Sequence, residues 1–194
     1  MKEGWATPTL QQIYEARCAT NSDIHQHLPR LYAEASKAGV RVLELGVRSG
    51  HSTAAFLAAA DQHGGRVVSV DINTPTVPPE FWTCGMWRFV KGDDLTLTGL
   101  VDEPVDVLFI DTSHHYQHTL DELRRFHWDV ALDGCILMHD VELKNPEHAP
   151  ASDPDFPVAA AIQTFLTEFP EWSAEHVSGC YGLAVLRRSL LVAA

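Results

Sequence analysis

Apolar and polar residues along the chain follow two alternating patterns. Short, nearly continuous apolar runs are typical of strands buried on both faces, and the first begins with Val40, Val42 and Leu43. Between these runs, apolar residues recur every three to four positions, which indicates amphipathic helices. The patterns predict strands over residues 40–45, 66–71, 87–90, 105–110, 135–140, 172–177 and 181–187. They predict helices over residues 9–38 (in two pieces), 50–62, 116–131 and 157–169.

Strands and helices alternate along the chain, which is typical of an α/β fold with a parallel sheet. The run over residues 105–110 is apolar apart from Asp106, as a central parallel strand should be. Residues 172–187 instead predict a closing hairpin. The sequence therefore predicts one α/β domain over residues 1–194, in which an N-terminal helical cover (1–39) precedes the core (40–194).

The composition narrows the class of protein. A chain of 194 residues can bury a continuous core, and its four cysteines show no paired spacing. The first residues lack an apolar signal core and no apolar run is long enough to cross a bilayer, so we expect a cytoplasmic protein with no membrane partner. The net charge of −12 argues against a nucleic acid partner. A small-molecule partner is the better expectation, and homo-oligomerisation is left open.

A glycine turn follows the first predicted strand and opens the next helix. Gly46 and Gly50 let the backbone approach a ligand closely, and the helix start offers free N–H groups. Asp71 ends the second strand, where its carboxylate can reach a ribose. The turn lacks the GxGxxG spacing of dinucleotide sites, and Glu44 before it suits a cofactor with a cationic amino-acid tail. In the alternative interpretation, Glu44 binds loop amides and the glycines only allow tight packing.

Five segments together carry a family resemblance: ELGVRSGHS, VVSVDI, KGDD, VDVLFIDTSHHY and LDGCILMHDV. Over residues 40–190 the chain resembles class I S-adenosylmethionine-dependent methyltransferases. It is most similar to their small-molecule O-methyltransferase branch, which includes macrocin-type sugar O-methyltransferases and cephalosporin hydroxylase-like proteins. The resemblance implies a Rossmann-like, mostly parallel sheet of seven strands with helices on both faces and a C-terminal antiparallel hairpin.

The resemblance also implies where S-adenosylmethionine binds. Glu44 and Ser49 are expected near its methionine part, Asp71 near the ribose hydroxyls and Asp93 near the adenine. The full set of expected cofactor-binding residues is Glu44, Gly46, Ser49, Gly50, Ser52, Asp71, Ile72, Gly92, Asp93 and Asp111.

The segment after the strand over residues 105–110 carries the candidate catalytic groups. In the resembled family, an aspartate at the position of Asp111 binds a divalent metal, a histidine at that of His114 is a candidate base, and Asp140 is a further metal ligand. Carboxylates from adjacent strand ends can converge on one cation, which would hold the acceptor hydroxyl in line with the methyl group. Because His139 stands where relatives often carry a second acid, manganese or iron joins magnesium as a candidate, and a metal-free site is left open.

Alternative roles are open for several of these residues. Asp111 and Asp140 can simply cap turns, and His115 and His118 are expected to be solvated. The proline-rich loops over residues 73–87 and 142–156 follow strands at the cofactor end of the sheet, and Trp82 is expected to contact the substrate.

We therefore expect a methyltransferase that methylates a hydroxyl of a sugar or another natural-product intermediate. In this hypothesis His114 accepts the proton, and Asp111 and Asp140, with or without His139, place magnesium or manganese. Two alternatives are a Rossmann-type NAD-dependent oxidoreductase and a non-catalytic binding module of methyltransferase fold. A facial iron site made by His114, His139 and Asp140 is a third.

Overall fold

A seven-stranded sheet forms the centre of the computed structural model, which describes residues 7–144, 150 and 152–189. The strands are β1 (Arg41–Leu45), β2 (Arg66–Asp71), β3 (Trp87–Lys91), β4 (Val105–Ile110), β5 (Val130–His139), β6 (Trp172–Val177) and β7 (Leu183–Arg188). Their order across the sheet is β3-β2-β1-β4-β5-β7-β6. All neighbours are parallel except β7, which runs antiparallel to both β5 and β6. The predicted Rossmann-like sheet with a C-terminal antiparallel hairpin is confirmed.

Helices cover both faces of this sheet. They are α1 (Leu10–Ala19), α2 (Leu28–Glu34), α3 (His51–His63), α4 (Pro79–Thr83), α5 (Tyr116–Phe126) and α6 (Pro157–Glu168). Successive residues of a central strand enter different cores, because side chains alternate along a strand. Phe109 packs with α1, α2 and α3, whereas its neighbour Leu108 packs with α5 and α6. This burial on both faces explains the continuous apolar runs of the central strands.

The boundary between α5 and β5 differs most clearly from the prediction. The helix expected over residues 116–131 ends at Phe126, a short 3₁₀ turn follows, and β5 begins at Val130. Val130 pairs with Val105 of β4, and Gly134 lies inside the strand, where a Cβ atom would come within 2.8 Å of the Asp106 carbonyl oxygen. Tertiary pairing therefore overrides the helical pattern. Within the proline-rich loop over residues 73–87, Pro79 begins the short helix α4, which was not among the predicted helices.

The sheet order brings the ends of β1 and β4 to one edge of the sheet. Gly46 and Asp111 directly follow β1 and β4, which are neighbours from which the chain continues in opposite directions across the sheet. In open α/β sheets, ligands bind in the crevice at this reversal of strand order. The described part of the chain contains no helix that is long and apolar enough to cross a membrane.

Candidate active site

A cleft of about 620 Å³ opens at the carboxyl ends of β1, β2, β3 and β4. A smaller cavity of about 80 Å³ adjoins it, and both are lined by Gly46 and Asp111. The larger volume is within the range of small-molecule and cofactor sites.

Most of the residues expected to bind the cofactor line one of these two cavities. Those along the cleft are Gly46, Asp71, Ile72, Gly92, Asp93 and Asp111. Ser49 and Ser52 line the smaller cavity. Glu44 and Gly50 are absent from the described lining of both.

Gly46 holds the ends of β1 and β4 together. Its φ is +90°, and a Cβ atom there would lie 1.9 Å from the carbonyl oxygen of Asp111. Only glycine can occupy this position without moving one of the two strand ends. Gly50 has another role, because its α-carbon faces Val77 and Phe81 rather than the cleft, which agrees with the packing interpretation of this glycine.

Glu44 lies behind the glycine turn and is fully buried. Its carboxylate accepts hydrogen bonds from the hydroxyls of Ser52 (2.6 Å), Thr53 (2.8 Å) and Ser69. Burial outweighs these hydrogen bonds and raises the pKa of Glu44 to about 7. The side chain therefore links the start of α3 to β2. Glu44 was expected to face the cationic tail of the cofactor, but its carboxylate faces the core instead.

Asp71 organises the wall of the cleft. Its Oδ2 accepts the N–H groups of Val47 and Arg48, both at 3.0 Å, and its Oδ1 accepts that of Asn73 at 2.7 Å. Because a carboxylate offers about four acceptor positions, it can still bind ribose hydroxyls. The chain after Asn73 closes the same wall, where the N–H of Thr76 donates to the Arg48 carbonyl at 3.0 Å.

Four ionisable side chains meet beside the two cavities, and we call them the acid–histidine cluster: Asp111, His114, His139 and Asp140. The Nε2 atom of His114 lies 2.8 Å from Asp140 Oδ2 and 3.2 Å from Asp111 Oδ1. His114 and Asp140 have φ values of +58° and +61°, which are uncommon outside glycine. Such backbone strain at several positions of one site is typical of functional centres.

The carboxylates control the protonation of both histidines. Burial lowers the pKa of His114, but hydrogen bonds and charge from Asp111 and Asp140 outweigh it and raise the pKa to about 9. Burial also lowers the pKa of His139, but the two nearby carboxylates outweigh it and raise the pKa to about 11. In turn, the histidines outweigh the effect of burial on Asp111 and hold its pKa well below the usual range. The cluster therefore carries protons on its imidazoles at neutral pH unless another cation takes their place.

His139 is oriented so that one ring nitrogen faces the carboxylates. Its Nε2 atom lies 2.7 Å from the Cys180 carbonyl, to which it can only donate. Its Nδ1 atom lies 3.3 Å from Asp140 Oδ2 and 3.6 Å from Asp111 Oδ1, and it has no hydrogen-bond partner among the described residues.

These three side chains fit a divalent cation. Two ligand atoms at about 2.1 Å from a tetrahedral ion lie roughly 3.4 Å apart, which matches the distances from His139 to Asp140 and Asp111. One imidazole and two carboxylates suit manganese, iron or zinc better than magnesium, which prefers oxygen ligands.

His118 and its neighbours were missed by the sequence analysis. His118 was expected to be solvated, but it lines the cleft between Asp94 and Glu122 of its own helix. The i, i+4 spacing of His118 and Glu122 was the available signal, because such residues share one face of a helix. His115 is half-buried, and its Nδ1 atom lies 3.7 Å from Asp153 Oδ2. Of the loop over residues 142–156, residues 145–149 and 151 lie outside the described part.

The sequence matches the model of a methyltransferase domain family over residues 43–141, which is about half of the chain and runs from β1 to just beyond Asp140. The chain belongs to this family. It is a class I S-adenosylmethionine-dependent methyltransferase, and the NAD-dependent oxidoreductase alternative is wrong. A search of curated proteins gives no match.

Solved structures with the same fold include several methyltransferases. The S-adenosylhomocysteine-bound methyltransferase PaMTH1 of Podospora anserina is 16% identical, with a TM-score of 0.62 over 97% of this chain and 91% of that one. A proposed caffeoyl-CoA O-methyltransferase of Staphylococcus aureus is 15% identical, with a TM-score of 0.65 over 94% and 93%. MycE of the mycinamycin biosynthetic pathway, in complex with Mg, S-adenosylhomocysteine and mycinamycin VI, is 16% identical, with a TM-score of 0.64 over 94% and 55%.

Proposed function

We propose that this methyltransferase transfers the methyl group of S-adenosylmethionine to a hydroxyl of a small molecule, such as a sugar or another natural-product intermediate. The observation that carries this proposal is the acid–histidine cluster, because O-methylation needs a proton acceptor and a group that orients the hydroxyl. The likeness to MycE, which was solved in complex with mycinamycin VI, supports an acceptor of this class.

The two cavities suggest how the cofactor lies. We place the adenosine in the larger cleft, with the adenine towards Ile72 and Asp93 and the ribose on Asp71. The methionine part then passes Gly46 towards Ser49 in the smaller cavity. This arrangement puts the sulfonium beside Asp111, which lines both cavities and whose negative charge favours a cation.

His114 is the proposed base. The acceptor oxygen attacks the methyl carbon, the carbon–sulfur bond breaks towards sulfur, and the hydroxyl proton passes to Nε2 of His114. In the described geometry Asp111 and Asp140 pair with that nitrogen and raise its pKa to about 9, so His114 would act as the base in its neutral form, which a cation bound to the two carboxylates would favour. A divalent cation on Asp111, His139 and Asp140 would supply Lewis acidity, which lowers the pKa of the acceptor hydroxyl.

Two measurements test the proposal in sequence. Calorimetric titration with S-adenosylhomocysteine is expected to give saturable binding, and its absence would refute the cofactor site. Transfer of labelled methyl from S-adenosylmethionine to a panel of phenols, sugars and macrolides then tests the reaction. His114→Ala is expected to keep the affinity for S-adenosylhomocysteine and lose at least about a hundredfold in turnover, which is the usual contribution of a general base.

His115→Ala is the matched control, because it removes the adjacent imidazole and leaves the cluster intact. Equal turnover in His114→Ala and wild type would dismiss His114 as the base. For the cation, chelation and Asp140→Asn are expected to reduce turnover alike, and activity indifferent to both would exclude a metal role.

A further inference from the structure

A second group of ionisable side chains lies at the wall of the cofactor cleft, which two of its three members line, and it shares no residue with the acid–histidine cluster. Asp94 follows β3, and His118 and Glu122 lie one turn apart on α5. One ligand atom from each of the three lies within 4.8 Å of the others. We propose that Asp94, His118 and Glu122 form a binding site for a divalent transition-metal cation of the zinc type. We call these residues the cleft-wall triad.

Both carboxylates of the cleft-wall triad are buried, and in each only one of the two oxygens accepts a hydrogen bond from a described residue. Glu122 is fully buried and Asp94 is 6% exposed. Thr112 donates to Glu122 Oε1 at 2.7 Å, and the N–H of Leu95 donates to Asp94 Oδ1 at 2.8 Å. The other oxygens, Glu122 Oε2 and Asp94 Oδ2, are buried without a hydrogen-bond partner in the described part of the chain. Because an unpaired buried carboxylate is costly, this arrangement calls for a cation or a proton.

The distances within the triad fit a metal better than hydrogen bonds. His118 Nε2 lies 3.4 Å from Glu122 Oε1 and 3.6 Å from Asp94 Oδ1. These separations are long for hydrogen bonds but match the roughly 3.4 Å between two ligands of a tetrahedral zinc ion. Imidazole nitrogen and carboxylate oxygen both bind zinc, and three such ligands leave a fourth position for water.

A proton is the competing occupant of the cleft-wall triad. Burial, with Asp94 beside it, raises the pKa of Glu122 to about 8. A bound cation would replace this proton and would join the segment after β3 to α5 across the wall of the cleft. Cation binding is therefore expected to raise the temperature of unfolding.

Cobalt(II) is a suitable probe because it replaces zinc and gives a visible spectrum. The titration uses the full chain carrying Asp140→Asn, which weakens any site in the acid–histidine cluster. We expect one equivalent of cobalt to bind with an absorption band of nitrogen and oxygen ligation. Glu122→Gln and His118→Gln in the same background are each expected to weaken binding by at least about tenfold. Asp121→Asn, which removes an exposed carboxylate of the same helix, is the control and is expected to bind like its parent.

The outcomes separate the two occupants. Circular dichroism checks that Glu122→Gln folds, and if it does not, His118→Gln decides, because its side chain is partly exposed and carries less of the core. Cobalt binding that is unchanged by His118→Gln would overturn the proposal. So would the absence of cobalt binding in the Asp140→Asn background, which would leave a shared proton as the occupant. The readout is metal affinity, so failure of the methyl-transfer proposal would not affect it.

Discussion

Glu44→Gln is the perturbation for which the structure gives the clearest magnitude. The wild-type carboxyl is fully buried among three hydroxyl donors, and its pKa is about 7 instead of the usual 4.5. The unfolded chain therefore releases this proton near pH 4.5, whereas the folded protein keeps it until about pH 7. Between these values the unfolded state binds fewer protons, so the free energy of unfolding falls as the pH rises.

The size of the effect follows from the two pKa values. The difference between the two pKa values corresponds to about 3 kcal/mol in the free energy of unfolding. Wild type loses this stability as the pH rises from 4.5 to about 7. Glutamine cannot ionise, so Glu44→Gln escapes this loss. The stability of the variant relative to wild type should therefore increase by about 3 kcal/mol across that interval. For a chain of this size the change corresponds to roughly 6–12 °C in the melting temperature.

Urea unfolding followed by tryptophan fluorescence at pH 5 and pH 8 measures this difference. The other ionisable groups titrate in both proteins, so their contributions largely cancel. Glu103→Gln is the control, because its side chain is 68% exposed beside Arg41 and no comparable change is expected. Parallel stability curves for wild type and Glu44→Gln would refute the reasoning.

Three further predictions address the turn and the cluster. Gly46→Ala is expected to destabilise the protein by at least about 2 kcal/mol in urea unfolding, because its Cβ would meet the Asp111 carbonyl. Gly99→Ala is the control, because Gly99 has a φ of +66° but no described atom within 4 Å, so it should lose less stability. Equal losses of stability in the two variants would contradict the clash. Asp71→Ala is expected to reduce the affinity for S-adenosylhomocysteine at least about tenfold by calorimetry, since it releases the amides of the turn, and unchanged affinity would count against this role. In metal-free protein, the NMR signal of the His114 imidazole is expected to titrate near pH 9, so its stabilising charge is present below pH 6.5 and lost through pH 9; a midpoint near 6.5 would contradict the pairing with both carboxylates.

Much of the fold was predictable because the central strands are buried on both faces. The apolar runs that became β1, β2 and β4 need no tertiary information, since few other elements tolerate such sequences. The end of α5 was not predictable in this way. Val130 suits the apolar stripe of a helix equally well, and only its pairing with Val105 assigns it to β5.

The candidate site was predictable where residues follow strands directly. Asp71, Asp111 and Asp140 each lie at a strand end, so the topology alone brings them to one edge of the sheet. The direction of a side chain is not encoded in this way. Glu44 is adjacent to the turn in sequence but faces the core, and Glu122 lies on α5, buried under the cleft wall.

The most direct test of the proposed active site is the crystal structure of the complex with S-adenosylhomocysteine. We predict that the ribose contacts Asp71 and that the sulfur faces Asp111 and His114. A ligand whose sulfur points away from the acid–histidine cluster, or one bound outside the cleft, would contradict the account.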